Sequence, residues 1–196
     1  IGSGPSGASA AFELAKSGLS TVIIEKEILP RYKTCGGGLV FRGRKNMPFD
    51  ISSVVEKEFF EVDTYFANTN LKFTTNRDQP IVSMIMRDAF DHLIVEKAKE
   101  NGVTLLQNHK VLAISFGEIQ TIHTSEGDVQ AKFIIAGDGA LSPVAKITGW
   151  QETRNIIPAL EYEVEVPAAD FERLSKNVRF DVDVIPLGYG WCFPKK

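Results

Sequence analysis

An α/β fold carrying an inserted, mainly antiparallel β layer is predicted by three observations. A Gly-x-Gly-x-x-Gly run, Gly2 to Gly7, opens a small-residue helix that leads into a short apolar strand. A long amphipathic helix flanked by apolar strands occupies the middle of the chain. From Ile156 onward the pattern changes to alternating strands.

The opening unit is the most specific. Gly2 suits a tight turn out of a strand, Gly4 leaves room for a ligand to approach the backbone, and Gly7 with Ala8 and Ala11 lets a helix pack close. Pro5 and Ser6 fall in the first turn, where Pro sacrifices no needed donor. Gly18 suits the left-handed residue that ends such a helix. Thr21 to Ile24 reads as a strand, and Glu25 closes it at the distance of an acid that binds a ribose. Free N–H groups at the helix start would hold a pyrophosphate. A carboxylate at Glu25 would repel a 2′-phosphate, which favours an FAD- or NAD-type adenosine over an NADP-type one.

Residues 30–50 are rich in Gly, Arg and Lys and read as a functional loop, with Cys35-Gly36-Gly37-Gly38 at its centre. Three glycines suggest a backbone that comes close to a flat ligand; a surface loop is the other reading. Residues 52–78 mix charged and aromatic residues, with a short helix expected before Phe66. Pro80 to Met86 alternates as a strand. Arg87 to Asn101 reads as a helix with Phe90, Leu93, Ile94 and Ala98 on one stripe, Asp88 as its cap and Gly102 after its end. Arg87 sits poorly against the helix dipole, so either a phosphate or carboxylate partner or a solvated position is expected. Val103 to Gln107 reads as a strand, and Val111 to Ser115 with Gln120 to Thr124 as a hairpin.

Ala131 to Ala136 reads as a buried strand that runs into Gly137-Asp138-Gly139, followed by a short helix to about Ile147. That Asp fits either a ligand contact at a strand end or a simple turn. Glu161 to Val166 and Val178 to Val184 read as strands. In the tail, Tyr189, Trp191 and Phe193 alternate, so their rings share one face: a core face or the wall of an apolar pocket.

Composition narrows the class. The 196 residues are 43% apolar and 10% aromatic, as expected of a packed globular core. A net charge of −3 gives no electrostatic case for nucleic acid. Two cysteines point to a reducing compartment, and no apolar run has the length of a membrane span. His92, His109 and His123 lack metal-ligand spacing and are expected at the surface, with no metal site. Only Ile1 precedes the first glycine, and the sequence stops just after the aromatic segment, so truncation at both ends is expected.

Taken together, Gly2-Ser-Gly-Pro-Ser-Gly7 with Glu25, Lys33-Thr-Cys35-Gly-Gly-Gly38, Arg87-Asp-Ala-Phe-Asp91, Gly137-Asp-Gly139 and Pro186-x-x-Tyr-x-Trp-x-Phe-Pro194 resemble the geranylgeranyl reductase family. That is a group of FAD-dependent oxidoreductases within the p-hydroxybenzoate-hydroxylase-like superfamily. The resemblance implies a Rossmann-like FAD-binding domain over 1–65 and 85–150, and a substrate-binding β layer over 66–84 and 151–196. It implies that Gly2, Gly4, Pro5, Ser6 and Gly7 hold the pyrophosphate, that Glu25 and Lys26 meet the ribose, and that Arg87, Asp138 and Gly139 organise the phosphate and ribityl region. The backbone at Val111 would meet the adenine. Cys35, Gly36 and Gly37 would lie beside the flavin ring, and Tyr189, Trp191, Phe193 and Pro194 would line the substrate cavity.

The implied reaction is reduction of C=C bonds in an isoprenoid chain by hydride from reduced FAD, with Cys35 and Tyr189 as candidate proton donors beside ordered water. The electron donor, NAD(P)H or ferredoxin, has no visible site. A flavin monooxygenase and a non-catalytic FAD-binding module are the alternatives on the same scaffold. An isoprenoid substrate would bring a cytoplasmic protein to a membrane surface.

Overall fold

The computed structural model describes residues 1–69, 71–151, 153 and 156–195. In chain order the helices are α1 (Pro5–Lys16), α2 (Phe41–Lys45), α3 (Arg87–Glu100), α4 (Pro143–Ile147) and α5 (Ala168–Leu174). The strands are β1 (Val22–Ile24), β2 (Gly38–Val40), β3 (Val55–Phe59), β4 (Glu61–Phe66), β5 (Leu71–Asn76), β6 (Val82–Ile85), β7 (Thr104–Leu106), β8 (Val111–Ser115), β9 (Gln120–Thr124), β10 (Gly127–Ala131), β11 (Val178–Val182) and β12 (Tyr189–Cys192). They fall into two compact units.

The first unit comprises Ile1–Lys33 and Asp88–Pro158. β1 and β7 pair in parallel, Val22 against Thr104 through Ile24 against Leu106. A parallel pair needs a crossover, and the α3 segment supplies the helix for it. α1 buries Gly7, Ala8, Ala11 and Phe12, the close-packing face expected from the sequence. Gly18 follows α1 with a φ of 82°, where only glycine is free of Cβ strain. α3 buries Phe90, Asp91, Ile94, Val95 and Ala98. Leu93, expected in that stripe, is only half-buried, and the charged Asp91 takes a core position instead. Asp88 lies inside the first turn of α3 rather than before it, and its carboxylate accepts the Ala89 N–H at 2.7 Å.

β8, β9 and β10 form a separate antiparallel sheet in the order β10-β9-β8. The expected buried strand over 131–136 is not one: β10 ends at Ala131, and Phe133 and Ile135 are exposed. Beyond Ala131, the segment's bonds among the described residues are Ile1 N to Ile135 O, Gly137 N to Ile1 O and Gln120 Nε2 to Lys132 O. Too few ladder bonds form there for a sheet strand.

The second unit comprises Thr34–Arg87 and Ala159–Lys196. Residues 34–65, expected with the first domain, group here because β2 and β3 both pair antiparallel with β6. A second sheet runs β12-β11-β4-β5, antiparallel except for the parallel β11–β4 pair. Phe59, Val62, Val82, Met84 and Val178, drawn from both sheets of this unit, form its buried cluster, with Ile81, Phe180 and Phe193 packed against it.

Three expectations fail in this unit. The 52–78 stretch forms a 3-10 turn at Ser52–Val54 and then three strands, not a helix. Its charged residues are tolerated because the sheet partners them: Asp63 accepts from Thr74 Oγ1 at 2.6 Å and Asn177 Nδ2 at 3.2 Å, and pairs with Lys72 at 3.0 Å. The 30–50 loop contains β2 and α2, the latter anchored by an ion pair between Arg44 and Glu58. The Glu161 to Val166 stretch forms no strand, and α5 follows it.

Candidate functional site: a nucleotide loop and an aromatic strand

The nucleotide loop is built by glycine contacts. The Gly2 N–H donates to Ile24 O at 2.9 Å and adopts a φ of 91°. A Cβ on Gly7 would stand 2.0 Å from Gly2 O, and one on Gly2 would stand 2.5 Å from Gly137 O. One on Gly137 would stand 2.8 Å from the Gly7 N and Cα. Gly2, Gly7 and Gly137 therefore close on one another, and the fingerprint and the Gly-Asp-Gly segment form one piece of backbone. Gly137 was read only as the first residue of the Gly-Asp-Gly run, with the roles given to Asp138 and Gly139; its closure on Gly2 and Gly7 makes it a site residue in its own right.

α1 starts from Gly4 with no side-chain cap and no acid in its first turn, and Pro5 occupies the first helical position. Ala8 N is the first amide bonded within the helix, to Gly4 O at 2.9 Å. The amides of the first turn, at Ser6 and Gly7, have no carbonyl before them in the helix, so this end suits an anion.

Glu25 is buried, 4% exposed. Its Oε2 accepts the Ser3 backbone N–H at 2.8 Å and the Ser3 hydroxyl at 2.6 Å, and its Oε1 accepts the Glu27 N–H at 3.0 Å. A carboxylate has room for about four such donors. Glu25 thus fixes the loop from within and retains acceptor capacity for a ribose hydroxyl. Burial pushes its pKa up, but the Ser3 and Glu27 hydrogen bonds and the Arg31 charge outweigh it and hold the carboxyl below its ordinary value. A lowered folded pKa stabilises the fold above the unfolded value of about 4.3, and that stabilisation is lost as pH falls through the folded value. Flavin release on acidification is therefore expected to sharpen below about pH 4. The Glu25→Gln variant should show a flatter profile there by flavin fluorescence; identical profiles would sink the assignment.

Behind Glu25 lies Arg31, its side chain 14% exposed. Its Nε is 3.9 Å from Glu25 Oε2, and its Nη1 is 3.1 Å from Oδ2 of the fully buried Asp91. Nη1 is not aligned for a hydrogen bond, so the contact to Asp91 is coulombic. Asp91 closes the Arg87 to Asp91 stretch quoted for the resemblance, but no role was read for it, because it falls within the apolar stripe of α3.

Asp138 organises the turn after Gly137. It accepts from Ser142 Oγ at 2.7 Å and from the Val144 N–H at 2.9 Å, while Ser142 caps α4 by accepting from Ala145 N. Of its two readings, the turn is what these contacts carry. Two residues before Val111, His109 N donates to Glu25 O at 2.9 Å, which ties the approach to β8 to the end of β1. Lys26 points away, 67% exposed and 3.7 Å from Glu27. Arg87 opens α3 and is half-buried.

In the second unit, the glycine run meets the aromatic strand. A Cβ on Gly36 would stand 2.9 Å from Trp191 Nε1 and 3.1 Å from Phe193; one on Gly38 would stand 2.6 Å from Phe193. Gly37, with a φ of 72°, would place its Cβ 2.1 Å from Ile85 O. The glycines are thus required by protein packing first. The rings line up as expected, with Tyr189 to Trp191 at 5.9 Å, Trp191 to Phe193 at 6.2 Å and Phe180 to Phe193 at 5.5 Å between centroids. Tyr189 is exposed, Cys35, Trp191 and Phe193 are half-buried, and Pro194 is buried. Gly36→Ala is expected to shift Trp191 fluorescence and cost about 1–3 kcal/mol from overpacking. An unchanged emission spectrum in a Trp150→Phe background would show that the turn and the strand do not touch.

One surface feature also escaped the sequence reading. Ser115 Oγ lies 2.9 Å from His123 Nε2, and His123 Nδ1 lies 2.8 Å from Asp128 Oδ1. The row crosses three strands on a solvent face, where water surrounds the serine, and it ties the strand register rather than forming a nucleophile site. The histidines are not simply at the surface either: all three are half-buried, and His109 Nδ1 contacts Gln107 O at 2.6 Å.

A glycine-closed loop, an uncapped helix start and a buried acid at the end of β1 define a dinucleotide-binding oxidoreductase domain, and the cradle fits the adenosine and pyrophosphate half of FAD. The chain belongs to the FAD dependent oxidoreductase family, whose model matches residues 1–156. It is 32% identical over its whole length to an uncharacterized protein of Methanosarcina barkeri, covering 50% of that protein. It is 29% identical over its whole length to the chloroplastic geranylgeranyl diphosphate reductase of Arabidopsis thaliana, covering 45% of it. The crystal structure of a geranylgeranyl bacteriochlorophyll reductase-like protein from Thermoplasma acidophilum superposes with a TM-score of 0.76 at 23% identity, over 100% of this chain and 52% of that one. The chain thus spans about half the length of the curated relatives it matches.

Proposed function

We propose that this chain is the cofactor- and substrate-binding part of a flavoenzyme that reduces C=C bonds in a geranylgeranyl or related isoprenoid chain. The observation that carries it is the packing of Gly36 and Gly38 on Trp191 and Phe193, which sets an aromatic face behind the Cys35 turn. The similarity to the plant reductase over the whole chain supports the same reading.

Bound FAD supplies the reducing equivalents, delivered as hydride. The protein's own residues do the rest. The amides of Ser6 and Gly7 with Gly4 would hold the pyrophosphate, Glu25 the ribose, and the backbone at Val111 the adenine. Arg87 and Asp138 would order the phosphate and ribityl region, and Gly139 would leave it open. The Cys35 to Gly37 backbone would face the flavin ring. Tyr189, Trp191, Phe193 and Pro194 would grip the prenyl chain and exclude water. An isolated alkene is a poor hydride acceptor, so positioning in a dry pocket must contribute much of the rate. Such a substrate would bring the protein to a membrane surface, although no helix among the described residues is long and apolar enough to cross a membrane.

The test uses the full-length protein with its flavin reduced in the absence of oxygen. Adding geranylgeranyl diphosphate should reoxidise the flavin and add two hydrogens per reduced bond by product mass. Reoxidation only when oxygen is admitted would overturn this reading in favour of oxygen-dependent chemistry, and retained flavin with no turnover would favour a binding module.

A further inference from the structure

We infer that the row Phe193, Trp191, Tyr189 measures an isoprenoid chain one unit per ring, with the terminal unit on Phe193, the third on Tyr189 and the polar head in water beyond it. This rests on the proposed reductase reading and deepens it: the substrate is recognised by a chain of at least three isoprene units, and only weakly by its headgroup. Tyr189 is then the residue that sets the chain-length preference.

The spacing carries the argument. β12 sends Tyr189 and Trp191 to one face, and Phe193 continues the alternation just past its end. Ring centroids step 5.9 Å from Tyr189 to Trp191 and 6.2 Å from Trp191 to Phe193. An extended isoprene unit adds four carbons to the length of a chain, about 5 Å at a C–C bond length of about 1.5 Å. The ring step is close to that repeat, so each ring takes one unit. Phe180 on β11 holds the row in place: its ring lies 6.1 Å from Tyr189 and 5.5 Å from Phe193, and it packs on the buried cluster.

The row has a closed end and an open end, which sets the direction of the chain. Phe193 is closed off by the glycine turn, since Cβ atoms on Gly36 and Gly38 would stand 3.1 Å and 2.6 Å from its ring, and Pro194 after it is buried. Past that end Lys195 Nζ faces two carboxylates, Glu161 at 3.8 Å and Glu163 at 3.3 Å, so the group is net negative and repels an anionic head. At the other end Tyr189 is 54% exposed, and Leu187 before it is fully exposed. A polar head keeps its water there, whereas burial at Phe193 would strip it. A two-unit chain seated on Phe193 therefore stops short of Tyr189, a three-unit chain reaches it, and a fourth unit extends beyond the row.

The experiment titrates the oxidised full-length holoenzyme by calorimetry with geranyl, farnesyl and geranylgeranyl diphosphate, which carry two, three and four isoprene units. In the wild type, farnesyl diphosphate should bind about tenfold or more tighter than geranyl diphosphate, the effect of covering one face of a five-carbon unit. Geranylgeranyl diphosphate should bind within about threefold of farnesyl diphosphate, and geranylgeraniol within about threefold of its diphosphate. Tyr189→Ala should bring the farnesyl and geranyl affinities to within about threefold of each other, while Tyr189→Phe should keep the step, because the ring and not the hydroxyl makes the contact. Retained FAD reports that both variants fold. A Tyr189→Ala variant that keeps the tenfold step overturns the inference, and flavin reoxidation by geranylgeranyl diphosphate without oxygen would still uphold the reductase reading. A wild type whose affinity does not rise from geranyl to farnesyl overturns the inference without any variant, and a preference of about 100-fold for the diphosphate over the alcohol overturns the placement of the head. A wild type that binds none of the chains overturns both the inference and the reading beneath it. A step that depends on Tyr189, with no flavin reoxidation, supports the inference and overturns the reductase reading alone.

Discussion

Replacing Gly7 by alanine is expected to abolish FAD retention and to destabilise the first unit by about 3 kcal/mol or more, the upper end of overpacking costs. The new methyl would stand 2.0 Å from Gly2 O, a backbone atom that has nowhere to go. Gly2 is held on one side by its bond to Ile24 O and on the other by Gly137, whose carbonyl already sits where a Gly2 side chain would be. Relief must therefore come from moving α1 away from the loop, which withdraws the first-turn amides from the phosphate. Gly18→Ala is the control. Gly18 also has a positive φ, but no atom lies within 4 Å of its would-be Cβ, so only backbone strain of about 1 kcal/mol is expected and FAD should stay bound. Flavin content after purification and thermal unfolding of the full-length protein check both. If Gly7→Ala keeps its flavin, the three-glycine closure is not what shapes the cradle.

The contrast between those two glycines shows what was legible in the sequence. The Gly2 to Gly7 spacing, Ala8 and Ala11, Gly18 and Glu25 encode a local unit, and local units are read from short spacings. α3 and the alternating rings of 189, 191 and 193 were legible for the same reason, since each is a single period of one element. The strands over 55–76 were not. Their stability comes from partners distant in sequence, such as Asn177 on Asp63, and no local pattern announces them. The glycines at 36–38 were noticed, but for a ligand rather than for Trp191 and Phe193, more than a hundred and fifty residues away in sequence. Asp91 was named in the Arg87 to Asp91 stretch but given no role, because a buried charge looks, in sequence, like any polar residue between apolar neighbours.

Asp91→Ala is expected to cost about 3–5 kcal/mol, more than any surface ion pair could, because it leaves the Arg31 guanidinium mostly buried without its nearest carboxylate. In the intact protein Asp91 is fully buried and Arg31 nearly so, with 3.1 Å between them. Glu25 is 3.9 Å from the same guanidinium and already accepts three hydrogen bonds. With Asp91 gone, Glu25 is the other carboxylate beside Arg31 among the described residues, and pulling it off Ser3 disorders the loop that α1 and Gly137 shape. FAD affinity should therefore fall by about tenfold alongside the stability, the size of a displaced charge-assisted contact. The double variant Arg31→Met with Asp91→Leu removes both charges and should be more stable than Asp91→Ala, since an apolar pair of similar volume replaces a desolvated ionic one. Denaturant unfolding and FAD titration around this cycle measure the coupling. Additive single effects, or a cost below about 1 kcal/mol for Asp91→Ala, would mean that Glu25 is held by Ser3 and Glu27 alone.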